Sequence, residues 1–146
     1  MIKIKEQDWT FVVNEKETKN YYENLSSTCQ CAYCRNFKKA YLQMPTSVRI
    51  FLEQFAIDIS SPEEITWFHS EKNGMTDYIL YYPVKGEAFS ETGYELDFQG
   101  ENSFVSITVQ SLEEGPNFEM KSLGLCLQVF GISLPWMLEE PISEVE

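Results

Sequence analysis

Apolar residues recur at helical spacing between positions 32 and 59. Four of them share one helical face: Phe37, Ala40, Tyr41 and Met44. This pattern predicts a helix that begins near Ala32 and ends before Pro45, because proline disfavours the helical conformation of the residue that precedes it. A second helix follows, with Thr46 as its capping residue. Its apolar stripe comprises Val48, Phe51, Leu52, Phe55 and Ile59.

Strand patterns occupy most of the remaining chain. Residues favouring strands lie at 8–14, 78–84, 94–98, 105–109 and 123–129. Asn73-Gly74 predicts a tight turn before the second of these strands, and Pro83 predicts an edge or a bulge within it. Residues 15–25 are polar and leave their conformation open. Ser61-Pro62 resembles a helix start, but strand-like residues follow at once, so a helix there is limited to one turn.

Helices followed by strands, without β-α-β alternation, indicate the α+β class. We therefore predict an antiparallel β-sheet, arranged as a meander, with two consecutive helices packed on it. The 146 residues suit a single domain that spans positions 1–146. Residues 139–146 are rich in acidic side chains, and we expect them to form a loose tail.

The charge is strongly acidic and unevenly distributed. The net charge is −12, yet residues 1–50 carry eight basic and five acidic side chains. An acidic surface repels phosphate backbones, which disfavours nucleic acid as a partner and favours a basic protein. No stretch approaches the roughly 18 apolar residues of a membrane span, and the N-terminus does not resemble a signal peptide. We expect a cytoplasmic protein that does not bind membranes.

Three cysteines fall within six residues, at Cys29, Cys31 and Cys34. In a reducing cytosol, clustered cysteines are typical of metal or redox sites rather than structural disulfides. Helix N–H groups near Ala32, together with nearby basic side chains, favour the thiolate form. A structural zinc ion takes four ligands. The fourth could come from His69, the only histidine, or from Cys126.

Two other interpretations of the cluster stay open. Cys31 and Cys34 have the C-x-x-C spacing of thiol oxidoreductases, although the surrounding pattern lacks the β-α-β context of that class. Alternatively, the cysteines are core or surface thiols without chemistry, since free cysteine packs as a small apolar residue. Iron–sulfur proteins use other spacings. No phosphate loop, dinucleotide motif or paired catalytic acids occur, and no catalytic residue is predicted.

Aromatic residues make up 14% of the chain. Many should fill the core between strands, but Tyr81, Tyr82 and Tyr94 could also form a recognition surface. Together with the acidic charge, this surface leads to the main functional hypothesis, a non-enzymatic domain that binds another protein. A small zinc protein and a thiol oxidoreductase are the alternatives.

Two short motifs carry a family resemblance. Cys31 and Cys34 are followed by Arg35, Asn36 and Phe37, and Leu134-Pro135-Trp136 occurs late in the chain. With two short helices between them, these motifs resemble a family of small uncharacterised Firmicutes proteins over most of the chain. The resemblance implies a bacterial cytosolic setting, and it implies no catalytic residues.

Overall fold

A computed structural model describes residues 1–25, 29–70, 74–100, 103–112 and 124–141. Seven strands lie in these ranges: β1 (Ile2–Glu6), β2 (Trp9–Val13), β3 (Glu64–His69), β4 (Met75–Ser90), β5 (Leu96–Gln99), β6 (Phe104–Ser111) and β7 (Gly124–Pro135). Three α-helices accompany them: α1 (Glu15–Glu23), α2 (Ala32–Ala40) and α3 (Thr46–Glu53). A 3₁₀ turn, Tyr41–Gln43, links α2 to α3.

The sixteen-residue strand β4 organises the sheet. One of its edges pairs with β7, while the other pairs first with β3 and then with β2, always antiparallel. The strand order is β1-β2-β4-β7-β6-β5, with β3 beside β4. The predicted α+β class and antiparallel sheet are therefore confirmed. The predicted meander is not confirmed, because β7 lies between β4 and β6 in the sheet. In addition, β2 pairs with β4 although helices separate the two strands in sequence.

Helix α1 fills the gap that β3 and β2 leave along the edge of β4. The Tyr22 hydroxyl donates to the carbonyl oxygen of Pro83 at 2.8 Å. The amide N–H of Lys85 donates to the buried Thr18 hydroxyl at 3.1 Å. These bonds satisfy backbone groups that no strand reaches. Pro83 thus lies on a locally unpaired edge, as predicted, whereas the register shift of β4 lies between Tyr78 and Leu80.

Helix boundaries differ from the predicted ones. Residues 15–23 form α1, because Asn14 caps it by accepting from the N–H of Glu17. The second predicted helix ends at Glu53, ahead of Phe55 and Ile59. All five residues of its apolar stripe are nevertheless buried. The side chains predicted to face inward are therefore buried even where the chain is no longer helical.

Two further differences from the prediction concern the cap of α3 and strand β1. Thr46 is not the cap of α3: Pro45 occupies that position, without a side-chain hydrogen bond. Strand β1 was not predicted, although isoleucine and lysine alternate in it. Leu123, Asn73 and residues 142–146, on which other predictions rest, lie outside the described part of the chain.

The hydrophobic core draws side chains from both the strands and the helices. Phe11 of β2 contacts Phe55 edge to face, with ring centroids 5.0 Å apart, and Phe51 of α3 packs on Phe98 of β5. The turn after β1 reaches β5, since the Gln7 amide exchanges hydrogen bonds with the backbone of Asp97. None of the helices in the described ranges has the length and apolar character needed to cross a membrane.

Candidate metal centre

Cys31 caps the N-terminus of α2. Its sulfur accepts from the N–H of Cys34 at 3.5 Å, and its carbonyl oxygen accepts from the N–H of Arg35 at 3.0 Å. A thiol here stands where serine or aspartate usually accepts from the first turn. The positive end of the helix dipole therefore lies against the cysteine sulfurs and favours negative charge on them.

The three cysteine sulfurs form one group. The Sγ atoms of Cys29, Cys31 and Cys34 all lie within 4.8 Å of one another, and the Cys29 and Cys31 sulfurs are 3.2 Å apart. Zinc–sulfur bonds of about 2.3 Å in a tetrahedron would place the sulfurs about 3.8 Å apart. The observed spacing is comparable to that value, so the three sulfurs suit ligation of one ion.

The cysteines differ in exposure and in proton affinity. Cys29 is exposed and Cys34 is buried. Hydrogen bonds from the Cys34 thiol, and from the backbone and thiol of Cys31, lower the pKa of Cys29. Burial, followed by the hydrogen bonds to its two neighbours, raises the pKa of Cys34. Of the two, Cys29 therefore gives up its proton more readily, and metal binding must release the proton of Cys34.

Aromatic stacking holds the start of α2 on the sheet. The ring of Tyr33 stacks on Trp67 of β3, with centroids 3.6 Å apart and planes 4° apart. Trp136 meets the same ring edge to face at 5.4 Å. The Tyr33 carbonyl oxygen accepts from the Tyr78 hydroxyl at 2.9 Å. The helix turn that presents Cys31 and Cys34 is thus fixed by contacts on two strands and on the segment after β7.

Asn36 joins the two motifs on which the family resemblance rests. Its amide nitrogen donates to the Pro135 carbonyl oxygen at 3.1 Å, and its amide oxygen accepts from the N–H of Met137 at 2.6 Å. Asn36 is completely buried. The C-x-x-C-x-N-F and L-P-W motifs are therefore one structural unit that supports the cysteine turn. Beyond it, Arg35 forms an ion pair with Glu140.

The structure does not bring the two proposed fourth ligands into the sulfur group. His69 lies exposed at the end of β3, with its ring centroid 6.0 Å from that of Tyr33. Cys126 lies buried in β7, opposite Pro83, and burial raises its pKa to about 12. Among the described His, Cys, Asp and Glu side chains, only Cys29, Cys31 and Cys34 converge closely enough to share an ion.

A cavity of about 210 Å³ adjoins the cysteines. Its wall includes Cys29, Cys34, Lys38, Ser60, Ser61, Pro62, Glu63, Glu64, Ile65 and Trp67. The sequence predicts a helix start at Ser61-Pro62 and no catalytic role for adjacent acids such as Glu63 and Glu64. Residues 60–65 lead directly into β3, whose Trp67 packs on α2. This connection is what places Glu63, Glu64 and Ser61 beside the cysteines.

The predicted tyrosine surface is not one surface. Tyr82 is fully buried, and its hydroxyl donates to the carbonyl oxygen of Ile59 at 2.6 Å. Tyr81 is half-buried and Tyr94 is exposed. Adjacent residues on a strand point to opposite faces, so Tyr81 and Tyr82 cannot contact the same partner.

Comparisons of the chain with family models, with curated proteins and with solved structures give no match. The resemblance to the Firmicutes family therefore stays a prediction. The chemistry of the site is interpreted from its own geometry.

Proposed function

We propose that this chain is a metal-binding domain that holds a zinc ion through Cys29, Cys31 and Cys34. The observation that carries the proposal is the convergence of three cysteine sulfurs within 4.8 Å at a helix N-terminus. Zinc binds thiolates in tetrahedral geometry and has no redox chemistry that a reducing compartment would disturb. Thiolate ligands disfavour magnesium and calcium, which prefer oxygen.

The bound ion would have a structural effect. It would join Cys29, which precedes α2, to Cys31 and Cys34 at the first turn of that helix. Because Tyr33 of this turn stacks on Trp67, the ion would also fix the approach of the chain to the sheet. Binding energy at a site that only the folded state presents is folding energy, so zinc should raise the stability of the domain.

Metal analysis of untagged protein tests this proposal. We expect about one zinc per chain, and about 100-fold or more loss of zinc affinity in Cys31→Ser. Serine keeps an oxygen that can cap α2, so this variant removes the thiolate while preserving the helix start. Cys126→Ala is the matched control, because it removes a thiol outside the group. Wild-type protein without metal, with three freely titrating thiols, would contradict the proposal.

A second candidate function is binding of a basic protein. It is favoured by a patch at the end of β4 in which the exposed side chains Glu87, Phe89 and Glu91 recur at alternate positions. An aromatic ring among carboxylates suits lysine and arginine side chains.

A lysine-rich peptide can probe this patch by fluorescence titration. We expect saturable binding at physiological salt that weakens when Phe89 is replaced by serine. Phe104→Ser provides the control, because Phe104 is exposed to a similar extent on β6. Equal binding by both variants, or none by the wild type, would remove this candidate.

A further inference from the structure

The cavity beside the cysteines leads to an inference that rests on the proposed zinc site. Cys29 and Cys34 supply metal ligands and also form part of the cavity wall. An ion held by the three sulfurs would therefore border the cavity. Three protein ligands plus one open position is the arrangement of exchangeable zinc sites, whereas closed structural sites use four.

We propose that the fourth position of the metal opens into this cavity and binds a small thiol that carries an ammonium group. The size of the cavity limits the ligand. A volume of about 210 Å³ holds roughly seven water molecules at about 30 Å³ each. Pockets for drug-sized molecules begin near 300 Å³. A compact molecule therefore fills this volume.

The charges around the cavity select the ammonium group. Glu63 and Glu64 both line the wall, and Lys38, the basic residue among the described members of the wall, donates to the Ser61 hydroxyl at 3.3 Å. Three thiolates and a divalent ion add about one more negative charge. Because these negative charges outweigh the single positive charge of Lys38, an anionic ligand would be repelled and a cation attracted.

The donor atom follows from the metal. An ion chosen by three thiolates favours a soft fourth donor, and a thiol bound to it loses its proton. In the exchange, a metal–oxygen bond to water breaks, a metal–sulfur bond forms, and the thiol proton passes to solvent. No oxidation occurs. Pro62, Ile65 and Trp67 provide apolar wall for the short carbon chain of such a ligand.

Cobalt substitution tests this inference, because the intensity of the sulfur-to-cobalt charge-transfer band follows the number of bound thiolates. Cobalt added to the metal-free protein should give the band of three thiolates. Cysteamine should then raise the band by about one third, saturably, while cobalt stays with the protein on gel filtration. The uncharged 2-mercaptoethanol and the anionic mercaptoacetate serve as comparison ligands.

Cysteamine, 2-mercaptoethanol and mercaptoacetate also differ in acidity. The deciding quantity is therefore how a variant of the protein changes their affinities relative to one another. In Glu64→Gln, the preference for cysteamine over 2-mercaptoethanol should fall about threefold to fivefold. Glu53→Gln removes an exposed carboxylate from α3, outside the cavity wall, and should leave the preference unchanged.

The possible failures are distinguishable. Absence of a three-thiolate cobalt band would overturn the zinc site and this inference with it. A normal cobalt band that no thiol alters, or cobalt lost from the protein on thiol addition, would leave the zinc site standing and overturn the open position. A thiol response with the same preference in Glu64→Gln and wild type would overturn the assignment of an ammonium ligand.

Discussion

Tyr33 stacks almost parallel on Trp67, with ring centroids 3.6 Å apart. The two residues belong to α2 and β3, and Tyr33 lies between two of the clustered cysteines in sequence. The stack therefore helps to fix the position of the cysteine sulfurs relative to the sheet. Together with the contacts that Trp136 and Tyr78 make with Tyr33, it holds the candidate metal centre in place in the metal-free chain.

Replacing Trp67 with leucine should weaken both stability and metal binding. Leucine keeps apolar area but removes the stack, which contributes about 1 kcal/mol beyond burial. We expect a loss of about 1–2 kcal/mol in the free energy of unfolding and a several-fold loss of zinc affinity, measured by urea denaturation and competitive titration. Phe68→Leu changes the next aromatic on the opposite strand face and is the control. Equal zinc affinities in the two variants would show that the stack does not support the site.

Replacing Asn36 with leucine should destabilise the fold without removing a ligand. The Pro135 carbonyl oxygen and the Met137 N–H would both lose their partner in a partly buried place, and the buried Tyr78 hydroxyl would lose a donor. Each such group costs about 1–3 kcal/mol, so we expect a loss of about 2–4 kcal/mol in unfolding free energy by denaturant titration. Asn20→Leu, an exposed change on α1, should stay within about 0.5 kcal/mol. Similar losses in both variants would contradict the assigned role of Asn36.

Asp8 should contribute to the acid dependence of stability. Its carboxylate accepts from the hydroxyl of Thr92 at 2.6 Å and from that of Ser90 at 2.7 Å. These bonds, the Thr92 hydroxyl first, lower the pKa of Asp8 below its ordinary value. The contribution is present above the ordinary aspartate pKa of about 4 and disappears as pH falls through the lower folded value.

Asp8→Asn should therefore reduce the dependence of unfolding free energy on pH below about 4. Carbon-detected NMR titration of the wild type should show Asp8 titrating below an unfolded aspartate. Glu53→Gln removes another exposed carboxylate and should retain the Asp8 component. Titration of Asp8 at or above the ordinary value would refute this prediction.

Removing the Tyr22 hydroxyl should destabilise the fold, although this change deletes only one oxygen atom. Tyr22→Phe leaves the Pro83 carbonyl oxygen without its donor in the gap beside β4, and we expect a loss of about 1–2 kcal/mol. Tyr94→Phe changes a tyrosine that is 76% exposed and should have little effect in the same thermal and denaturant assays. If the two variants are equally stable, helix α1 does not satisfy the β4 edge as described.

The same burial predicts behaviour at high pH. Burial raises the pKa of Tyr22 and of Tyr82 well above the ordinary value, and that of Tyr78 to about 12. Their contribution to stability is complete below the unfolded pKa of about 10 and falls as pH rises above it. In an alkaline titration followed by tyrosinate absorbance, a fraction of the signal should appear only with unfolding, monitored by circular dichroism. Complete ionisation of all tyrosines before unfolding would contradict this.

Local patterns predicted much of the secondary structure because they act over a few residues. The helical spacing of Phe37 and Ala40 identifies a real helix, and the alternation around Tyr78 identifies a real strand. The order of strands was not predictable in this way. The contact between β4 and β7 joins residues about fifty positions apart, and no local pattern specifies which edge a strand will meet.

The cysteine cluster shows where the limit lies. Three of its sulfurs come together because Cys29, Cys31 and Cys34 are neighbours in the chain and a helix begins between them, and both facts are visible in the sequence. The fourth position depends on long-range packing. Folding places Cys126 in the core and His69 against Tyr33, and it brings Glu63 and Glu64 to a cavity beside the sulfurs. The cysteines and their spacing in the sequence thus indicate the candidate metal centre, while the packing of β3 on α2 determines which residues surround it.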